Sequence, residues 1–118
     1  MYTYADLLIK LKNASGPDRE LGNLVLQALV NVYDIDANKW YGTTRCVTSS
    51  LEMARALADR ELPGWLWRLG FNGNNICYQT HGSILHGEYA EGTSSTEPLA
   101  ILIAVIEAKQ SATERLQN

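Results

Sequence analysis

Trp65-Leu66-Trp67-Arg68-Leu69-Gly70-Phe71-Asn72-Gly73 is the stretch on which the fold turns. Trp65, Trp67, Leu69 and Phe71 alternate with Leu66, Arg68 and Gly70. Period two is the signature of a strand, here with one aromatic face. Asn72-Gly73 is the strongest short-range hairpin signal, because both residues accept positive φ. Ile76 to His81 then reads as a second strand, Gly82-Ser83 as a second turn, and Ile84 to Tyr89 as a third strand. The expected product is a three-stranded antiparallel meander.

On the N-terminal side the period is helical. Thr3 can cap a first helix running to about Asn13, with Asp6 three residues on and Tyr4, Leu7, Leu8 and Leu11 on one face. Ala14-Ser15-Gly16-Pro17 interrupts it. A second helix follows, with Ser15 or Gly16 as cap, Pro17 in the first turn, and Leu21, Leu24, Val25, Ala28, Leu29 and Val32 as its stripe. Residues 33–47 read as an irregular loop carrying Trp40 and Tyr41, which are bulky for a loop and can dock back on the body, and a loop of that length suggests a function. Ser49-Ser50-Leu51-Glu52 opens a third helix with Leu51, Ala54, Leu57 and Ala58 inside, ending before Pro63-Gly64.

On the C-terminal side Ala90 to Thr96 reads as a loop. A last helix starts near Ser94-Ser95-Thr96-Glu97-Pro98 and is apolar nearly all round from Leu99 to Ile106, the pattern of a central helix. It is expected to loosen after Lys109 and fray over 111–118. The expected fold class is α+β: a sandwich in which the meander is flanked by about four helices, in the order α-α-α-β-β-β-α.

Composition narrows the function classes. The chain has 118 residues, 46% hydrophobic and 19% charged, the profile of one globular domain spanning 1–118. Ten Lys and Arg against thirteen Asp and Glu give a net charge of −3. Duplex nucleic acid is excluded as a partner, since phosphate neutralisation needs clustered cations. The apolar run from Leu99 to Ala108 is about half of the ~20 residues a bilayer span needs. The start, Met1-Tyr2-Thr3-Tyr4, has no secretory pattern, so a cytoplasmic protein with no membrane partner is expected.

Catalytic constellations do not assemble on paper. Cys46 and Cys77 form no CxxC pair and read as thiols of a reducing compartment. Cys77, His81 and His86 have no metal-ligand spacing, and His81 and His86 read as exposed strand histidines. A Cys77–His81 nucleophile lacks an orienting third group. Ser49 and Ser50 sit in no GxSxG elbow and read as helix caps. The glycines at 70, 73 and 82 lie in β-turns, not at a phosphate loop. Glu88 and Glu91 have no partner carboxylate at a defined distance. No enzyme activity, cofactor or metal is expected. Trp65, Trp67, Phe71 and Tyr78 are expected to share a sheet face, mostly as core. Arg19 at a helix start and Arg68 on a strand are surface ion-pair residues that can equally hold an anion.

Several segments together resemble a known family. Ala14-Ser15-Gly16-Pro17-Asp18-Arg19-Glu20-Leu21, then Val47-Thr48-Ser49-Ser50-Leu51-Glu52-Met53-Ala54, then Leu62-Pro63-Gly64-Trp65-Leu66-Trp67, then Thr96-Glu97-Pro98-Leu99-Ala100 occur in this order. In order and spacing they are similar to the phage α-β-α sandwich domain, over roughly Ala5 to Ala108. The resemblance departs between Val32 and Arg45 and in strands two and three. It implies a sandwich fold and a small phage or prophage protein in the host cytosol, with no catalytic residues to carry over.

Two functions are then expected as alternatives. One is counter-defence by sequestering a nucleotide-derived immune signal of the cyclic oligonucleotide or cyclic ADP-ribose type. Arg19 and Arg68 would hold phosphate, while Trp40, Trp65, Trp67 or Tyr78 would stack on a base. The other is a protein-interaction inhibitor that caps a basic host protein through the 33–47 loop, with Trp40 and Tyr41 as the contact. An enzyme built on Cys77, His81 or His86 is the third and weakest reading. A homo-oligomer is expected because a three-stranded sheet leaves two edges to cover.

Overall fold

The computed structural model describes residues 3–41, 46–63, 66–69, 75–81, 88–94 and 96–117; within the strands it places the side chains of Ala90, Gly92 and Ser94 alone. Helix α1 spans Tyr4–Asn13. The Asp6 amide donates to Thr3 Oγ1 at 3.1 Å and the Thr3 amide donates back to Asp6 Oδ2 at 3.2 Å. This reciprocal box satisfies two of the amides every helix start leaves open. Leu7, Leu8 and Leu11 are its buried face.

Helix α2 spans Arg19–Leu29, and its cap is Asp18, not Ser15 or Gly16. Asp18 Oδ1 accepts from the Leu21 amide at 3.0 Å. The choice is made from far along the chain. Thr48 Oγ1 accepts from the Asp18 amide and donates to the Asp18 carbonyl, both at 2.9 Å. Thr48 is fully buried, so its hydroxyl needs both partners.

Between α2 and the next long helix, where the pattern reads as loop, the chain forms a short helix α3, Ala37–Tyr41. Helix α4 spans Leu51–Glu61, capped by Ser50, whose hydroxyl accepts from the Met53 amide at 3.2 Å. Met53, Ala54, Leu57 and Ala58 face inward, whereas Leu51 is exposed.

Three backbone segments pair antiparallel in the order β1, β2, β3: Leu66–Leu69, Asn75–His81 and Glu88–Ser94. The third takes in most of the expected 90–96 loop, while residues 84–87 of the expected third strand lie outside the described residues. Gly92 lets the strand continue here. A Cβ built on it would lie 1.9 Å from the Ala100 carbonyl oxygen and 2.7 Å from the Ala104 amide nitrogen. Only a glycine lets the strand backbone lie directly on the last helix.

That helix, α5, spans Glu97–Gln117, longer than the expected end near Lys109. Leu99 to Ile106 are buried without interruption, and Ala108 follows. A helix apolar all round can be satisfied only by packing on all sides. Accordingly α1, α4, β2 and β3 all pack against α5.

The expected fold class is corrected on this point. An α+β sandwich organised by a meander, with helices flanking the sheet, is not what the residues build. Of the residues whose side chains are placed, 69% are helical. Among the described residues there are five helices, not about four. The core cluster is contributed by α1, α2, α4 and α5 with Trp40 of α3, joined by Val30, Val47, Leu62 and Ala90. The centre of the body is therefore α5, and the fold is mainly helical. Among the described residues no helix is long and apolar enough to cross a membrane.

Candidate functional site

The turn joining α2 to α3 is Asn31-Val32-Tyr33-Asp34-Ile35-Asp36. Its backbone closes on itself. The Asn31 amide donates to Asp34 Oδ2 at 3.0 Å, and the Tyr33 amide donates to Asn31 Oδ1 at 2.9 Å. The Asp34 amide donates to the Asn31 carbonyl, and the Ala37 amide to the Asp34 carbonyl. Asn and Asp favour such turns because their short side chains copy backbone acceptors.

The acids of the turn meet one guanidinium, that of Arg60 on α4. Its Nε donates to Asp36 Oδ2 at 2.7 Å and its Nη2 to Asp36 Oδ1 at 3.1 Å, a forked pair. Nη2 also donates to Asp34 Oδ2 at 2.6 Å, and Nη1 to the Leu29 carbonyl at 3.3 Å. Nη1 pairs with Glu61 as well. Glu61 is 8% exposed at its side chain and accepts from Lys109 Nζ of α5 at 3.2 Å. Hydrogen bonds from Arg60, and then from Trp40, hold the Asp36 carboxyl down at about 2. Asp36 in turn raises the Arg60 pKa further above its ordinary value.

Helix α3 is stitched to the same place. Trp40 Nε1 donates to Asp36 Oδ2 at 3.1 Å, and the Lys39 ammonium lies 5.3 Å from the Trp40 ring centre. The Tyr41 hydroxyl lies within hydrogen-bond reach of two carbonyls at the end of α2, that of Leu26, which also accepts from the Val30 amide, and that of Val30. Burial, and then the charge of Asp34, push the Tyr41 phenol above its usual pKa.

Beside the exposed Asn31, three apolar side chains of the turn face outward. Val32 is 63% exposed, Tyr33 92% and Ile35 107%. The acids are half-buried and pinned to the body, and the three apolar side chains stand in water. Single exposed apolar residues need no explanation, but three within four positions on a pinned turn do.

The sequence-predicted residues fall elsewhere. Trp40 is 2% exposed and belongs to the core, so it offers no open face for stacking. Arg19 is the exposed first residue of α2. Trp65, Phe71 and His86 lie outside the described residues. Trp67 and Arg68 are on β1 and Tyr78 on β2, where the register sets Arg68 opposite Tyr78 and Trp67 opposite Gln79. Trp67 and Tyr78 are not register partners, and the expected shared aromatic face falls on side chains outside the described residues. Cys77 pairs in register with Leu69 and Gly92. Cys46 is a partly buried free thiol 2.9 Å from Thr48 Oγ1. Among the described residues no group of His, Cys, Asp and Glu could hold a metal.

A concavity of about 480 Å³ lies between α1 and α2, lined by Ile9, Leu21 and Leu24 with Lys10, Asp18 and Glu20. It contains none of the expected binding residues, and its charges are of both signs. The residues that sequence reasoning missed are Val32, Tyr33, Ile35 and Arg60. The Asn31-x-x-Asp34 spacing was a usable turn signal, whereas nothing local marks Arg60. No protein-family model, no curated protein and no solved structure matches the chain.

Proposed function

We propose that this chain is a non-catalytic protein-interaction module whose contact is the turn bearing Val32, Tyr33 and Ile35. One observation carries the reading: Tyr33 and Ile35 stand almost wholly in water on a backbone held by its own hydrogen bonds and by Arg60. Burying an Ile or Tyr of this kind in a partner's apolar pocket is worth about 2 kcal/mol each. Because the turn is already ordered, little of that is spent on fixing it. A convex apolar knob suits a concave partner, and the chain's charge of −3 favours a basic one. The resemblance to the phage family supplies the setting: an accessory protein that caps a host protein, with counter-defence as its purpose. The contact differs from the expected one in that Trp40 and Tyr41 support the turn instead of touching the partner.

The test is capture from host lysate by the natural chain and by Ile35→Asp. One stoichiometric partner held by the natural chain and lost by the variant supports the reading. Equal capture by both overturns it.

A second reading, sequestration of a cyclic nucleotide or ADP-ribose derivative, has one observation in its favour. The strand register sets a cation, Arg68, opposite an aromatic residue, Tyr78. Native mass spectrometry with such a panel decides it: an added intact ligand mass supports it, and a bare protein across the panel refutes it.

A further inference from the structure

We infer that Arg60 is a positioning residue for the exposed turn: from α4 it holds Val32, Tyr33 and Ile35 outward in a single arrangement. The inference rests on the interaction reading for its purpose, but the latch itself can be tested without any partner.

The turn's internal hydrogen bonds fix its backbone locally. They do not determine how the turn sits on the body. Arg60 does, because one guanidinium reaches three successive parts of the chain: the Leu29 carbonyl at the end of α2, Asp34 within the turn, and Asp36 just before α3. The donors of a guanidinium are coplanar and fixed, so satisfying all three parts at once allows one placement of the turn. Swinging the turn away would leave Asp36 without both of its donors, Arg60 and the Trp40 indole.

Arg60 is itself held. Glu61 pairs with it and is almost enclosed, and Lys109 of α5 pairs with Glu61. The order Lys109, Glu61, Arg60, Asp36, Trp40 is a continuous line of charge-assisted contacts from the central helix to the turn. The cluster contains three carboxylates, of Asp34, Asp36 and Glu61, against two cations. Taking away Arg60 leaves the three acids facing Lys109 alone, and their repulsion drives the turn off the body. The apolar side chains would then be exposed on a mobile segment, and binding would have to supply the ordering entropy.

Chymotrypsin reads the latch directly, because it cleaves after exposed aromatic residues and Tyr33 is one. Local opening controls cleavage when the rest of the domain stays folded, so Arg60→Met should raise the rate of cutting after Tyr33 by about tenfold or more. Arg60→Met keeps the stem and removes the fork. Arg60→Lys keeps the charge but can serve only part of the fork, so its rate should fall between the two. Circular dichroism and amide protection of α1 and α5 should match the natural chain. An unchanged rate in Arg60→Met overturns the inference. Should Arg60→Met fail to fold, Asp34→Asn with Asp36→Asn removes the other side of the latch without altering α4: faster cutting supports the inference, and an unchanged rate overturns it. Loss of the latch with intact partner capture would overturn the positioning role in binding and leave the interaction reading to its own test, Ile35→Asp.

Discussion

Replacing Gly92 by alanine tests whether β3 lies on α5 as closely as described. The added Cβ would sit 1.9 Å from the Ala100 carbonyl oxygen, 3.0 Å from its carbonyl carbon and 2.7 Å from the Ala104 amide nitrogen. All three atoms are helix backbone, which cannot swing aside as a side chain can. The strand must retreat by at least about 1 Å from a close-packed neighbour. Retreat opens a gap over Ala100 and Ala104, both fully buried, and forfeits the dispersion contacts there. Overpacking costs about 1–3 kcal/mol in general, and rigid neighbours place this case near 3. With 118 residues the unfolding entropy is roughly 250 cal/mol/K, so the melting temperature should fall by about 12 °C. Gly22→Ala is the control. Its Cβ would meet the Cys46 thiol at 2.9 Å, a group that can rotate, and alanine is the better helix former by about 1 kcal/mol. The two terms nearly cancel, and the melting temperature should move by only a few degrees. Calorimetry on both variants checks the pair. A Gly92→Ala protein melting within 2 °C of the natural chain, on the order of the error expected for a neutral change, would refute the close approach.

Three further outcomes follow from the same contacts. Asp36 is held at about 2 when folded against an ordinary 3.8, so its contribution is fully present above about pH 4 and is lost as pH falls through 2. Asp36→Asn should flatten the acid limb of a urea-midpoint profile between those values; an unchanged limb would deny the pairing with Arg60. Thr48→Val leaves the Asp18 amide and carbonyl without their buried partner and should cost about 2 kcal/mol in urea unfolding, with the loss centred on the start of α2 in hydrogen exchange. Ile35→Asp touches nothing in the folded chain and should stay within about 0.5 kcal/mol of it, so any loss of partner capture is a loss of contact and not of folding.

Helices α1, α4 and α5 were legible because their signals are local. Thr3 with Asp6, and Ser50 with the Met53 amide, act across three residues, a spacing the backbone imposes wherever a helix starts. The apolar run from Leu99 to Ile106 likewise announced a central helix. Its consequence was harder to read: α1, α4 and the strands all pack on this one helix, and the expected sandwich gives way to a mainly helical body organised by α5. Asp18 displaced Ser15 and Gly16 as the cap of α2 because Thr48, thirty residues on, fixes its backbone.

The candidate site divides the same way. Asn31 and Asp34 mark a turn by themselves, since their side chains bond to the backbone two and three residues away. That Val32, Tyr33 and Ile35 would point outward could not be read, for an apolar cluster in sequence is ordinarily core. Trp40 shows the converse: of its two readings, docking on the body and contact with a partner, the structure favours the first, with the ring in the core and the indole N–H on Asp36. The sequence alone determined the starts of α1 and α4 and the central helix, all of which depend on neighbours within four positions. Only the tertiary structure decided which side of the turn faces water, because that rests on Arg60, which meets Asp36 and Asp34 across 24 and 26 positions of chain. Contacts at that distance carry no local period, and they form only once α4 has packed on the core.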